Sequence, residues 1–316
     1  MIRVAVLDDY QRVAGSMADW SSLDGRAEVD FFHEHLGTPD DVVARLRPYD
    51  VVCLMRERTA MPAAVIDALP RLRLLVTTGM GNAAVDIEAA RIRGVVVCGT
   101  RMSGPDTPEL AWLLIATLLK GFLDNATDVR AGGWQRSVGR RLEGATLGLL
   151  GIGNVGGAVA RYARAFGMNL LAWSQNMTPA LAHAHQATYV TRDELFELSD
   201  VVSIHVRLSE RSRGLVTAHH LALLGADSYL VNTSRGPIVI EDDLLAALQD
   251  GTIAGAGLDT FDREPLPIDH PLRTAPRALL TPHIAYATRE SYQEAYTQTV
   301  EAIEAWLTGA PIRRID

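Results

Sequence analysis

The stretch TLGLLGIGNVGGAVARYARAFGM, residues 146–168, determines how the rest of the chain can be interpreted. It begins with the apolar run Thr146–Leu150, which predicts a buried strand. The glycines Gly151, Gly153 and Gly156 follow, and an apolar-periodic segment then predicts a helix. A strand, a glycine-rich turn and a helix in this order are the start of a βαβ unit. The stretch therefore predicts a parallel α/β sheet.

The glycine spacing Gly151-x-Gly153-x-x-Gly156 is typical of a loop that binds a dinucleotide when it joins a strand to a helix. Gly151 permits the tight turn, Gly153 lets the backbone approach a pyrophosphate, and Gly156 lets the helix pack on the strand. Asn154 and Val155 open the helix, so its N-terminus faces the phosphates. The structural alternative is an ordinary glycine-rich turn without a ligand.

Further apolar runs alternate with helix-like segments along almost the whole chain. Most of these runs are continuous, which is typical of parallel strands covered by helices on both faces. We therefore predict doubly wound α/β sheets. Besides Thr146–Leu150, the strand candidates are Val4–Leu7, Val29–Phe32, Val51–Met55, Leu74–Thr77, Val95–Cys98, Asn169–Trp173, Val201–His205, Tyr229–Asn232, Gly255–Leu258 and Ala278–Thr281.

Eleven strand candidates are many for one such sheet, so we divide the chain into two domains. The first division falls near residue 100. It precedes SGPDTPELAWLLIATLLKG (103–121), which predicts a long helix from Thr107 or Pro108 with Asp106 or Thr107 as its cap.

Composition and charge narrow the class of protein. The formal net charge of -8 at pH 7 argues against a nucleic-acid-binding surface. Cys53 and Cys98 lie in apolar runs and form no CxxC pair, so we expect buried structural roles and no metal site. Few cysteines and no recognisable signal peptide favour the cytoplasm. The longest apolar stretch, Leu110–Leu119, is too short to span a bilayer, so no membrane partner is expected.

The strand after the glycine loop ends in AWSQN, residues 172–176. A carboxylate that would bind the diol of an adenosine ribose is absent there, and so is an adjacent arginine for a 2′-phosphate. Ser174 can bond either group. Both NAD and NADP therefore remain open, and the lack of local basic residues favours NAD.

Three residues whose side chains can take part in catalysis follow later strands. Arg235 follows YLVNTS, Glu264 follows the strand in IAGAGLDTFDREP, and His283 follows LLTP. The carboxyl ends of parallel strands are where α/β sheets build sites. The arginine can bind a carboxylate through two parallel hydrogen bonds. The histidine can transfer a proton near neutral pH, and the carboxylate can hold the imidazole and favour its protonated form.

Each of these residues also has an ordinary structural interpretation when it is taken alone. Arg235 can form an ion pair, Glu264 can be a solvated loop charge, and His283 can be a capping or core residue. Their occurrence together and in order, after a dinucleotide loop, favours a catalytic set.

Taken together, these features resemble the D-isomer-specific 2-hydroxyacid dehydrogenase family, which includes phosphoglycerate dehydrogenases, glyoxylate/hydroxypyruvate reductases and formate dehydrogenases. The resemblance spans nearly the whole chain and keeps the family order. The stretches that carry it are TTGMGNAAVDIEAARIRGVVVCGT, LGLLGIGNVGGAVA, NTSRGPIV, AGAGLDTFDREPLP and TPHIAYAT.

The resemblance implies a Rossmann-type NAD(P) domain over 101–287. It implies a flavodoxin-like substrate and catalytic domain over 1–100 plus 288–316. The last helix, predicted over Thr288–Thr308 because Gly309 ends it, would return to the substrate domain. A homodimer made largely through the cofactor domain is also implied.

The implied reaction is NAD(P)-dependent interconversion of a D-2-hydroxy acid and its 2-oxo acid. Arg235 would bind the substrate carboxylate and carbonyl, His283 would be the acid and base, and Glu264 would be its partner. Asp259 would contact the nicotinamide end of the cofactor, with Thr233 nearby. A non-catalytic nucleotide-sensing protein of the corepressor type is the alternative function.

Four further residues receive expected roles from the resemblance. His205 would lie near the adenosine side of the cofactor. The backbone of Met80 and Gly81 would meet the substrate carboxylate. Arg56 matches a substrate-side arginine of phosphoglycerate dehydrogenases, and its alternative role is an ion pair with Glu57 or Asp86.

The sequence departs from the family pattern at several positions. Ala83 stands where the family often has aspartate, and Tyr286 follows Ala285 where glycines are usual. Arg207 replaces a frequent proline beside the adenine pocket, where it can reach a 2′-phosphate. Glu264 stands where formate dehydrogenases have glutamine, which argues for a hydroxy or keto acid.

Overall fold

The computed structural model describes residues 1–135 and 137–315. The strands within these ranges are, in chain order, β1 Ile2–Val6, β2 Ala27–Phe31, β3 Val51–Leu54, β4 Leu74–Thr77, β5 Val96–Gly99, β6 Thr146–Leu150, β7 Asn169–Trp173, β8 Thr188–Tyr189, β9 Val201–Ile204, β10 Tyr229–Asn232, β11 Gly255–Leu258 and β12 Ala278–Leu280.

The α-helices of the described residues are, in chain order, α1 Ala14–Met17, α2 Pro39–Leu46, α3 Ala63–Asp67, α4 Ile87–Ile92, α5 Asp106–Lys120, α6 Phe122–Arg130, α7 Asn154–Ala165, α8 Pro179–Ala184, α9 Arg192–Glu197, α10 Ala218–Leu224, α11 Glu241–Asp250 and α12 Arg289–Leu307. Short 3-10 helices cover Trp20–Leu23, Gly236–Ile238 and Pro271–Thr274.

The chain divides into two compact units. One consists of Met1–Gly104 together with Ala287–Asp316, and the other is Pro105–Tyr286. The first unit holds a five-stranded parallel sheet in the order β2-β1-β3-β4-β5. This is the flavodoxin-like order. The strands β3 and β4 are buried along their whole length, because helices cover both faces of such a sheet.

The second unit holds a seven-stranded parallel sheet in the order β12-β11-β10-β9-β6-β7-β8. The chain leaves β6 toward β7 on one side, and it later returns to pair β9 against the other side of β6. This arrangement is the doubly wound Rossmann order with an added edge strand, β12. The predicted fold class, with two doubly wound parallel sheets, is confirmed.

Continuous apolar runs located the strands well. Five predicted strands have the observed bounds, among them β6 and β10, and the other six differ by one or two residues at one or both ends. The strand β8 was not predicted, because it has only two residues, Thr188 and Tyr189, and both are exposed at the sheet edge.

The predicted cap of the long helix α5 is wrong. Its N-cap is Pro105, and both Asp106 and Thr107 lie inside the helix. The proline ring restricts φ, and Pro105 already has a compact backbone with φ -83° and ψ 20°, so the helix begins one residue earlier. Asp106 lies instead in the first turn, where a negative charge interacts favourably with the helix dipole.

Both cysteines are buried in strands of the first unit, Cys53 in β3 and Cys98 in β5. Burial raises the pKa of the Cys53 thiol, so this side chain stays protonated and unreactive at neutral pH. The expected structural role of Cys53 agrees with this environment.

Within the described residues, no single helix is long and apolar enough to cross a membrane. Only α5 and α6 taken together pass that test by length and composition, and they are bent by 67° at the break between them.

Replacing Phe196 with alanine tests the core of the second unit. Among the described residues, Phe196 is the largest side chain that is fully buried, so its removal should lower the free energy of unfolding by about 3–5 kcal/mol. The matched variant Phe166→Ala removes a ring that is 50% exposed and should cost about 1 kcal/mol or less. Urea denaturation followed by circular dichroism measures both, and equal losses would contradict this packing.

Candidate active site

The glycine turn after β6 has the geometry that the sequence predicts. Gly151 has φ +99°, and a Cβ there would lie 2.9 Å from the backbone oxygen of His205. A Cβ on Gly156 would overlap the Gly151 carbonyl oxygen. Gly153 is the N-cap of α7 and is exposed, and a Cβ built on it meets nothing within 4 Å. The turn is therefore closely packed at Gly151 and Gly156, and it is open at Gly153, where α7 begins.

A cavity of about 290 Å³ adjoins this turn. Its walls come from the carboxyl ends of β6, β7 and β9, with Gly153, Ser174 and His205 among the lining residues. Because β7 and β9 flank β6, this is the crevice at which a doubly wound sheet binds ligands.

Two side chains that directly follow β9 and β10 carry buried polar atoms without hydrogen-bond partners in the described part of the chain. Both ring nitrogens of His205 and the hydroxyl of Thr233 are in this state. A buried polar group without a partner costs free energy, so such groups mark places where a bound molecule completes the hydrogen bonding. The residues present therefore fit a dinucleotide cofactor.

Burial of the imidazole lowers the pKa of His205 to about 4, from 6.5. The ring is therefore neutral at physiological pH, with one donor and one acceptor nitrogen. A neutral ring suits a contact with an adenosine moiety and adds no charge to the cavity.

Arg235 follows β10 directly, where the chain turns into the 3-10 helix Gly236–Ile238. Its backbone oxygen accepts from Asn232 Nδ2 at 2.9 Å, and its Nη1 donates to the carbonyl of Ser234 at 2.7 Å. A Cβ on Gly236 would overlap the backbone of Phe261. The absence of a side chain at Gly236 thus lets the Arg235 turn pack against the segment that follows β11.

Glu264 lies three residues further along that segment and contacts His283. The Nδ1 of His283 is 2.5 Å from Oε2 of Glu264, and Oε1 of Glu264 accepts from the backbone N–H of Phe261 at 2.9 Å. The His283 ring also meets Tyr286 edge-on at 5.8 Å. The side chains of His283 and Glu264 are mostly buried, with 15% and 23% of their surface exposed, so water screens this pair only weakly.

Asp259 organises the loop that carries His283. Its Oδ1 accepts from Thr281 Oγ1 at 2.7 Å and from the Ile284 N–H at 2.9 Å, and its Oδ2 accepts from the Ala285 N–H at 3.0 Å. Burial raises the pKa of Asp259, and these hydrogen bonds oppose that shift. The sequence pattern did not indicate this role, and the expected contact of Asp259 with the nicotinamide stays a prediction.

In the first unit, Arg56 lies beside the loop that contains Met80 and Gly81. Its backbone N–H donates to Thr78 Oγ1 at 2.8 Å, and its carbonyl accepts from Asn82 Nδ2 at 2.6 Å. A Cβ on Gly79 would lie 2.6 Å from Nη1 of Arg56, so the guanidinium covers that glycine. Met80 is 51% exposed. Thr78 and Asn82 hold this arrangement, and nothing in their sequence pattern marked them.

The alternative interpretation of Arg56 as an ion-pair residue has weak geometric support. The Nε of Arg56 and the Oε2 of Glu57 are 3.9 Å apart, near the limit for an ion pair. Asp86 instead caps α4 by accepting from the Ala89 N–H. No group of three or more His, Cys, Asp or Glu side chains within residues 1–135 and 137–315 could hold a metal ion.

The pKa of His205 predicts an acid-dependent loss of stability. The unfolded chain takes up a proton at this ring near pH 6.5, whereas the folded protein does so only near pH 4. More protons are thus bound in the unfolded state as the pH falls through this window. The stabilisation is complete above pH 6.5, and a loss on the order of 3 kcal/mol is expected by pH 4.

Urea denaturation of the protein and of His205→Gln between pH 7 and pH 4 measures this effect. The variant should lose less stability across the window than the parent protein. His183→Gln, which removes an exposed histidine, should follow the parent. Parallel curves for the parent and His205→Gln would contradict the low pKa of His205.

Comparisons with known proteins agree with this geometry. Residues 112–285 match the family model for the D-isomer specific 2-hydroxyacid dehydrogenase, NAD binding domain. The chain is 30% identical to a hydroxypyruvate reductase of Blautia hydrogenotrophica, with 100% of both chains covered. It is 33% identical to a glycerate dehydrogenase of Methylorubrum extorquens, over 93% of this chain and 96% of that one.

A solved structure is similar along almost the whole chain. The crystal structure of phosphoglycerate oxidoreductase from Vibrio cholerae matches with a TM-score of 0.91 and 30% identity, over 98% of this chain and 100% of that one. The chain therefore belongs to the D-isomer specific 2-hydroxyacid dehydrogenase family, and it is an NAD(P)-dependent oxidoreductase that interconverts 2-hydroxy acids and 2-oxo acids.

Proposed function

We propose that Arg235, Glu264 and His283 are the catalytic residues and that the substrate is a small D-2-hydroxy acid or its 2-oxo acid. The observation that carries the proposal is the 2.5 Å contact between His283 Nδ1 and Glu264 Oε2. This pair follows β11 and β12, and Arg235 follows the neighbouring strand β10. An acid-base pair and a cation at one sheet edge suit the reduction of a carbonyl next to a carboxylate.

The proposed mechanism assigns one task to each side chain. A bound nicotinamide supplies the hydride exchange with C2 of the substrate. The guanidinium of Arg235 binds the substrate carboxylate and stabilises the charge that develops on the carbonyl oxygen. With Nδ1 directed at Glu264, His283 gives its proton to that oxygen through Nε2 during reduction, and it takes the proton back during oxidation.

Glu264 and Asp259 position the histidine in this scheme. The Glu264 carboxylate orients the ring through its contact with Nδ1. Asp259 accepts hydrogen bonds from the Thr281 hydroxyl on one side of His283 and from the Ile284 N–H on the other. Proton transfer needs a donor within hydrogen-bond reach of the reacting atom, so this support sets the efficiency of the step.

The proposed substrate class is supported by the names of similar proteins and by the presence of Glu264. The curated relatives are named hydroxypyruvate reductase, glycerate dehydrogenase and glyoxylate reductase, which favours glyoxylate and hydroxypyruvate as first candidates. Arg56 and the backbone at Met80 and Gly81 are proposed substrate contacts of the first unit. The unit Pro105–Tyr286 is the proposed cofactor domain, and the other unit is the proposed substrate domain.

Three alanine variants test the catalytic assignment. The variants Arg235→Ala, Glu264→Ala and His283→Ala should each lower turnover while the fold and cofactor binding persist. Loss of the general acid should lower kcat by about 10²–10⁴-fold. The absorbance of reduced nicotinamide, followed with glyoxylate, hydroxypyruvate, pyruvate, phenylpyruvate and 2-oxoglutarate, measures the rate.

The matched controls are Arg164→Ala and His219→Ala, which remove exposed side chains and should leave the rates unchanged. Unchanged kinetics in the Arg235 variant would refute its role. Cofactor binding without turnover on any acid of the panel would count against the proposed substrate class.

We also propose a cytoplasmic homodimer formed through the second unit. Large apolar side chains are exposed on α5, on α6 and on the loop after it, including Leu113 at 59%, Phe122 at 65%, Trp134 at 75% and Val138 at 98%. Exposed apolar side chains in such number favour a protein partner, and a second copy of the chain is the simplest one. The buried cysteines suit a reducing compartment.

Light scattering coupled to size-exclusion chromatography tests the dimer. The parent protein should have twice the chain mass, and the double variant Phe122→Glu with Trp134→Glu should have the mass of one chain, because charges at an apolar interface lose their hydration. Ile268→Glu changes an exposed apolar residue elsewhere and should leave the mass unchanged. A monomeric parent protein would rule out this proposal.

A further inference from the structure

Two arginines line the cavity beside the glycine turn. Arg207 and Arg211 belong to the loop between β9 and α10, and both contribute to the wall of the cavity together with Ser174. Ser174 is the first residue after β7, the strand that should end in a carboxylate if the site binds a ribose diol. The arginines therefore lie in the same cavity as the position that normally distinguishes NAD from NADP.

The sheet order explains this placement. β6 pairs with β7 on one side and with β9 on the other, so the loops after these strands leave the same edge of the sheet. A direct hydrogen bond joins them, because Gln175 Nε2 donates to the carbonyl of Arg211 at 2.7 Å.

The backbone at both arginines is held in place. The carbonyl of Arg207 accepts from Ser212 Oγ at 2.6 Å, and the same Ser212 oxygen accepts from the Ser209 N–H at 2.8 Å. The carbonyl of Arg211 is held by Gln175. A loop that is ordered before binding loses less entropy when a ligand arrives, which favours affinity.

The charges of the two arginines are not neutralised by the protein. Neither guanidinium forms a hydrogen bond or an ion pair with residues 1–135 or 137–315. The residues that line the cavity include no aspartate or glutamate, and Glu210, which is adjacent to Arg211 in sequence, does not line it. Two uncompensated cations in a polar cavity favour a ligand with a double negative charge.

We propose that Arg207 and Arg211, together with the Ser174 hydroxyl, bind the 2′-phosphate of the adenosine ribose and make this enzyme selective for NADP(H). The inference rests on the proposed function and deepens it, because it names the cofactor of the same site. A phosphate offers oxygens to both guanidinium groups and to the hydroxyl. An unmodified ribose diol would find no carboxylate acceptor at Ser174 and would leave both charges uncompensated.

Isothermal titration with cofactor fragments tests this selectivity without any turnover. The fragment 2′,5′-ADP should bind the full-length protein at least about tenfold more tightly than 5′-AMP, since one or more charge-assisted hydrogen bonds are added. The isomer 3′,5′-ADP has the same charge as 2′,5′-ADP, so weak binding of this isomer shows that the position of the phosphate matters. NADPH and NADH should differ in the same direction as the fragments.

Arginine variants identify the residues responsible. In the double variant Arg207→Ala with Arg211→Ala, affinity for 2′,5′-ADP should fall about tenfold or more, and affinity for 5′-AMP should stay unchanged. The matched control is Arg213→Ala, which removes an arginine of the same loop that does not line the cavity and whose charge acts on Asp262. This control should retain the preference for 2′,5′-ADP, and circular dichroism confirms that each variant is folded.

The possible outcomes separate this inference from the proposed function. Equal or tighter binding of 5′-AMP, with NADH-dependent reduction of an oxo acid, overturns the NADP assignment and leaves the catalytic proposal intact. Selectivity for 2′,5′-ADP that survives the double variant overturns the roles of Arg207 and Arg211. Selective binding of 2′,5′-ADP without turnover on any oxo acid supports the NADP assignment while the proposed substrate class fails.

Discussion

The parallel pairing of β6 with both β7 and β9 is the constraint on which the cofactor side of this enzyme depends. The chain leaves β6 in one direction and returns on the other, so the turns after the three strands surround one crevice. The turn at Gly151 fits there only because a glycine adopts φ +99° beside the His205 backbone. Every proposed contact with the adenosine end of the cofactor derives from this arrangement.

On the side of the proposed catalytic residues, a buried carboxylate is the constraint on which the local structure depends. Asp259 has no exposed surface, and burying a carboxylate costs free energy unless donors surround it. Those donors are Thr281 Oγ1 and the N–H groups of Ile284 and Ala285. Their hydrogen bonds hold a loop in which His283 has φ +52°, a conformation that few residues with a side chain adopt. The loop thereby places the imidazole against Glu264.

Patterns of neighbouring residues predicted the strands and the glycine turn, whereas contacts between distant segments were missed. The edge strand β8 has no apolar run to reveal it. The family resemblance gave Asp259 an expected contact with the cofactor, but its support of the His283 loop was missed because its hydrogen-bond partners lie more than 20 residues away. The preference for NAD was inferred from the residues next to Ser174. It left Arg211 out of account, because that arginine reaches the cavity from the loop after β9.

The sequence by itself determined the fold class, the position of the dinucleotide turn and the identity of the candidate catalytic residues. It could do so because hydrophobic periodicity and glycine spacing act over a few residues. Only the tertiary structure decided which loops share the cavity, that Asp259 supports the loop of His283, and how Arg56 lies over Gly79. The physical reason is that the pairing of β6 with β7 and with β9 joins residues as far apart in sequence as Leu147 and Val201, and no local pattern encodes such neighbours.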